Sequence, residues 1–265
     1  MKRLFSLILV LLVVCGSLFM NSCKKGENDP FFSFRTRKAR VTGYWDFANM
    51  DRQAFTKLPN GEFYNETLTL ADENINLKID STQTSHDTSY TISGKVKEAY
   101  YKFEKDGRLD YLLRYELTDP ITKYDEITDL TTYEKTITTI EIKGNGTWNF
   151  LNKIDNYKNK ERLSLVFESL NHKTTISYTI DIQDADGISV GGFPQIYNSV
   201  SNQENKWANG EFAQVWVLDM LKNKELHMYR QLDNLDLSSY YSSIDPVTSS
   251  STTTIGLESV ILKQE

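Results

Sequence analysis

The sequence predicts an all-β fold in which an antiparallel meander closes into a barrel. Hydrophobicity repeats every second residue along much of the chain, Asp-Gly and Asn-Gly pairs punctuate that alternation, and helical periodicity is thin. Alternation of this kind puts one face of a strand in a core and the other in water. Short polar turns between such runs join sequence neighbours antiparallel.

The first element differs in character. Lys2 and Arg3 precede residues 4–14, which are apolar except for Ser6, and residues 18–20 extend that run into Asn21, Ser22 and Cys23. A charged n-region, an apolar h-region and a small residue before the cut read as a secretory signal peptide. The apolar core is shorter than the ~20 residues that a spanning helix needs. Met20-Asn21-Ser22-Cys23 resembles the lipobox of bacterial lipoproteins, which implies that the Cys23 sulfur is acylated and Cys23 becomes the new N-terminus. Cys15 is the rival acylation site, but the bulky Val14 before it favours Cys23. The expected organisation is a signal peptide over 1–22, a lipidated N-terminus and tether over 23–38, and a barrel domain over 39–265. Two or three palmitate-type chains hold far more firmly than one, at ~0.8 kcal/mol per buried CH₂. The membrane is therefore the expected partner, reached through the N-terminal lipid. Glu27 and Asp29 resemble a weak form of the acidic signal that sends Bacteroidetes-type lipoproteins to the cell surface, so the outer membrane is expected, with its periplasmic and outer faces both open.

Cleavage leaves 243 residues, enough for one sizeable core, with 28 basic against 36 acidic side chains and a net charge of −8. An acidic chain is a poor nucleic-acid ligand. With Cys15 removed and Cys23 acylated, the mature domain has no thiol left for a disulfide. Its stability is expected to come from the core.

Arg35, Arg37, Lys38 and Arg40 follow Phe31, Phe32 and Phe34 and are read as a solvated leading strand, the rings plugging the base; contact with anionic headgroups is the alternative. Strands are then expected where Ile75, Leu77 and Ile79 alternate with polar residues, and again at Leu109, Tyr111, Leu113 and Tyr115. Leu163, Leu165 and Phe167 mark another, and Ile176, Tyr178, Ile180 and Ile182 continue it. Residues 215–218 are apolar on both faces, as in a strand covered on both sides. Hairpins are expected at Asp106-Gly107, Asn145-Gly146 and Asn223-Lys224. Asp119-Pro120 has the form of a helix start, opposed by the threonines behind it, and 199–209 has room for one helical turn. Residues 232–254 read as a long Ser/Thr loop before a last strand over 255–262.

Gly43-Tyr44-Trp45 matches the Gly-x-Trp of the first strand in lipocalins and lipocalin-like bacterial lipoproteins. The segments 103–107, 142–148 and 221–226 resemble hairpins of the same lipoproteins, and 29–45 is similar to a group of uncharacterised Bacteroidetes lipoproteins. The resemblance implies a lipocalin-like β-barrel in which Trp45 closes the base against a cationic side chain and Gly43 allows close backbone approach. This chain is longer than the compact members, and several arginines could supply the cation.

Candidate chemistry is sparse. His86, His172 and His227 have no metal-site spacing, no Gly-x-Ser-x-Gly elbow is present, and no thiol remains for a nucleophile. The expectation is a protein with no catalytic residue, no metal and no cofactor. Asp184-Ala185-Asp186-Gly187 opens like a calcium loop but lacks the distal ligands, so a plain turn is favoured. Asp80-Ser81-Thr82 fits a short glycosylation sequence, with an ordinary loop favoured. Fifteen tyrosines and four tryptophans invite glycan stacking. Tyr101, Tyr111, Tyr115 and Tyr178 fit a core equally well, which leaves Tyr240 and Tyr241 as the exposed aromatic candidates. The expected function is carriage of a small apolar or amphipathic ligand by a lipid-anchored barrel. A filled structural barrel or a glycan-binding module are the alternatives, and barrel filling discriminates between them.

Overall fold

The structure, a computed structural model, describes residues 36–58, 62–82, 87–232 and 253–264. Cys23, the residues 31–34, His86 and the aromatic pair Tyr240 and Tyr241 lie outside the described residues. A single helical turn, α1 (Arg37–Val41), leads into eleven strands: β1 (Gly43–Lys57), β2 (Phe63–Ala71), β3 (Asn74–Thr82), β4 (Asp87–Phe103), β5 (Arg108–Asp125), β6 (Leu130–Phe150), β7 (Arg162–Gln183), β8 (Gln195–Lys206), β9 (Phe212–Leu221), β10 (Glu225–Leu232) and β11 (Thr253–Lys263). All pair antiparallel in one sheet of order β6-β5-β4-β3-β2-β1-β11-β10-β9-β7-β8, and β6 also pairs with β7, so the meander closes in a ring.

The ring differs between its two ends. At the base Gly43 to Asp46 of β1 pair directly with Phe103 to Tyr100 of β4, so the closed circuit there is β1, β4, β5, β6, β7, β9, β10 and β11. Farther up, the β2–β3 hairpin is wedged between β1 and β4. The lower part of β7 pairs with β9 and its upper part with β8. β1 and β11, the first and last strands, pair from Asp46–Lys263 to Lys57–Thr253 and complete the circuit.

Bulges keep long strands wrapped on this curve, because an extra residue bends the strand and increases its twist. In β1 the register shifts between Phe47 and Asn49, so Trp45 and Phe47 point inward below the bulge, and Met50, Ala54 and Thr56 do so above it. Similar shifts occur in β4 after Val96, in β7 opposite Asn145 and Gly146, and in β9 opposite His227 and Met228.

The Asp106-Gly107 hairpin forms, with Gly107 at φ +100° and its N–H donating to the Glu104 carbonyl at 3.0 Å. The turn before Glu225 forms at Asn223-Lys224, closed by Lys222 N–H to the Glu225 carbonyl at 2.8 Å. Asn145-Gly146 does not turn. It lies within β6, where a Cβ on Gly146 would stand 2.0 Å from the Val166 carbonyl oxygen of β7. The glycine serves close backbone approach at a bulge, a requirement set by tertiary pairing.

Further expectations are corrected. Asp119-Pro120 starts no helix, since β5 runs through both to Asp125. β5 is paired with β4 only as far as Thr118, so Pro120 falls where that edge of the strand ends and a missing N–H is tolerated. The turn follows at 126–129, where the Asp125 carboxylate accepts from Ile127 N–H at 2.9 Å and Thr128 Oγ1 at 2.8 Å. Residues 199–206 are strand β8, and Asp80-Ser81-Thr82 ends β3 instead of forming a loop. Residues 215–218 are one-sided, because Trp216 and Leu218 are buried while Val215 is exposed. Asp184-Ala185-Asp186-Gly187 is a plain turn whose Asp184 carboxylate accepts from the N–H groups of Asp186 and Ile188.

The basic stretch before β1 is the largest local departure. It forms α1, capped by Thr36, whose Oγ1 accepts from Ala39 N–H at 3.1 Å. Arg37 and Arg40 turn inward and are buried, while Lys38 remains outside. The tether boundary at 38 therefore cuts through an ordered turn. Arg40 Nη1 donates to the Leu221 carbonyl in β9, which ties α1 to the base of the ring.

Candidate functional site

The base of the ring is filled. Trp45, Trp216, Leu163, Leu165, Leu226 and Leu262 are fully buried, and Phe103, Phe167 and Leu109 nearly so. Gly43 lies at φ +141°, a region that favours glycine, and leads β1 upward into Trp45, whose Nε1 donates to the Val41 carbonyl at 2.7 Å. Cations stack on other rings of the fold, Lys38 on Trp148 at 5.8 Å, Arg162 on Tyr157 at 5.0 Å and Arg230 on Trp216 at 5.2 Å. Gly43 and Trp45 thus occupy one end of the ring beside α1.

Above this apolar plug is a polar layer that composition does not reveal. Arg52, Glu258 and Arg230 are in direct register across β1, β11 and β10. Arg230 Nε and Nη2 both reach Glu258 Oε2, at 2.8 and 2.6 Å, and both side chains are buried. Arg52 turns toward Glu66 of β2, with Nε 4.0 Å from Oε1. Tyr111 projects from β5 into the same layer. Burial pushes its phenol far above the usual range, Glu258 adds to the rise, and Arg230 and Arg52 oppose it. The phenol therefore stays protonated near neutral pH and can donate. Two inward positions higher, past Ala54, Thr56 and Thr254 share a buried hydroxyl contact of 3.0 Å.

Above that layer Ala54, Thr56, Thr254 and Leu232 stay buried, whereas on β3, β4, β6 and β7 several apolar side chains are only partly buried. Leu77, Ile92, Val96, Ile140, Ile142 and Leu170 pack against the core yet stay in contact with solvent. Polar side chains surround them. Tyr90 is raised first by burial and then by Glu66 and Asp119, and Lys123 pairs with Glu134 at 2.7 Å. Tyr178, whose position fits a core and a ring surface equally well, is half-buried on β7, 6.2 Å from Tyr197 of β8.

The remaining sites carry less. Asp155, Tyr157, Glu161, Asp219 and Tyr229 line a pocket of about 490 Å³ on the outer wall. His227 is tied to Glu225 at 2.8 Å and His172 sits apart on β7, its pKa lowered by burial. Among the described residues no three metal-ligating side chains come together.

Arg52, Arg230 and Glu258 are not brought together by any sequence motif, because they meet only through the register of β1, β11 and β10. Their signal is a charge on the apolar phase of an alternating strand. Leu226, Met228, Arg230 and Leu232 share one phase of β10, as do Glu258, Val260 and Leu262 in β11. Comparison of the chain with protein-family models, with curated proteins and with solved structures finds no match in any of the three.

Proposed function

We propose that this protein is a lipid-anchored envelope lipoprotein with a lipocalin-like barrel that carries a small apolar or amphipathic ligand. The observation that carries the reading is the contrast within one ring between a base packed by Trp45, Trp216 and Phe103 and, on β3, β4, β6 and β7, apolar residues that remain partly open to solvent. A structural barrel fills its interior throughout, whereas ligand sites are concave, mostly apolar and carry a few placed polar groups. The Gly43-x-Trp45 motif at the closed end beside α1 supports the lipocalin-like reading, and the lipobox supports the anchor.

Native mass spectrometry of the mature chain, residues 23–265 with Cys23→Ala, should detect a co-purified small molecule or uptake of the uncharged probe N-phenyl-1-naphthylamine. A bare chain that takes up no probe would favour the filled barrel. The anchor has its own test. Cys23→Ala should lose fatty-acid label and leave the membrane fraction, since among the described residues no helix is long and apolar enough to cross a membrane. Label persisting on the variant would remove the lipoprotein reading.

A further inference from the structure

We infer that the interior recognises a monoanionic head group, so that the ligand is a single-chain amphiphile bearing a carboxylate, held by Arg52 with the tail against the partly buried apolar residues of β3 and β4. This rests on the ligand-carrying reading above and names the ligand's chemistry. Arg52 Nε is sealed from solvent and has no hydrogen-bond partner among the described residues. Its closest carboxylate oxygen, on Glu66, is 4.0 Å away, too far for a hydrogen bond. Glu258 is the register partner of Arg52, yet its Oε2 is engaged by Arg230 through two nitrogens. A guanidinium N–H sealed from water without an acceptor is costly, and an incoming carboxylate would satisfy it with the paired geometry that arginine favours.

Position and charge narrow the ligand class. Arg52 is in register through Leu68 with Leu77 and Ile92, which are only partly buried, so a head bound there would leave its tail beside them. Tyr111, protonated through burial, faces the same layer as a second donor. The layer holds two arginines and two glutamates, so it is balanced as it stands. It would accept a single negative charge near Arg52 more readily than the two of a phosphate monoester.

The test uses cis-parinaric acid and its uncharged methyl ester, titrated by fluorescence into the mature chain with Cys23→Ala, so that no attached acyl chain competes. The acid should bind more tightly than the ester. Arg52→Met should weaken the acid by about tenfold or more, the share of a charge-assisted hydrogen bond, and leave the ester unchanged. Glu66→Gln, which removes the competing carboxylate, should tighten the acid and not the ester, a gain that damage to the fold would not produce. Equal affinity for acid and ester, or an acid-to-ester ratio unmoved by Arg52→Met, would overturn the inference while leaving ligand carriage intact. Binding of neither probe would overturn both.

Discussion

Glu258→Ala should destabilise the protein by about 3–5 kcal/mol, because it strands the Arg230 guanidinium in a layer that excludes water. Arg230 and Glu258 are among the few charged side chains buried in the ring, and the pair is held by contacts of 2.8 and 2.6 Å. Arg230 also packs over the Trp216 ring at 5.2 Å, so part of its stem stays anchored when its partner is removed. The double replacement Arg230→Met with Glu258→Leu should cost much less than the single change. Exchanging a buried pair for apolar groups of similar volume removes the desolvation penalty together with the attraction. Urea unfolding of the wild type, both single variants and the double variant closes the cycle. A single-variant cost under about 1 kcal/mol would mean that water reaches the pair.

The same layer shows where a sequence stops being readable. β3, the lower half of β5 and the lower half of β7 were visible because Ile75, Leu109, Leu113, Leu163, Leu165 and Phe167 are buried at alternate positions, the pattern that a half-buried strand imposes on its own residues. β8 lacked that signal. Its Gln195–Lys206 run is polar and exposed along nearly its whole length, so only pairing with β7 makes it a strand. In β5 and β6 the threonines that opposed a helix after Asp119-Pro120 were the better guide, since β-branched residues suit a pleated sheet. Asn145-Gly146 misled for the opposite reason. Its local turn chemistry is strong, but β6 is held between β5 and β7 over most of its length, and the ladder prevails over a two-residue preference.

The candidate site follows the same division. Each charge in the layer sat on the apolar phase of its strand and was legible one residue at a time. That Arg52 stands opposite Glu258 follows only when the first strand meets the last, a contact between opposite ends of the chain. The inward turn of Arg37 and Arg40 was hidden likewise, because a run of arginines beside a tether reads as solvated until the base of the ring is there to receive it. Local pattern therefore gave the strands, and closure of the ring gave the site.

Trp45→Ala should destabilise the mature domain by roughly 3–5 kcal/mol, the usual cost of emptying a large aromatic site in a core. Trp45 is fully buried, follows Gly43 in the first strand, and its indole N–H is satisfied by the Val41 carbonyl at 2.7 Å. Truncation therefore removes the packing of the ring and leaves that carbonyl, in the last residue of α1, without its donor. The consequence should extend to α1 itself, which is only five residues long and depends on tertiary contacts for its order. Arg40, tied to Leu221 across the base, is the other clamp on that turn. Urea unfolding of the Cys23→Ala chain with and without Trp45→Ala measures the stability, and amide exchange at 38–42 reports the helix. A change within about ±0.5 kcal/mol, the range of a surface position, would mean that Trp45 does not close the ring. It would remove the residue-level support for a lipocalin-like barrel and move glycan binding ahead of ligand carriage.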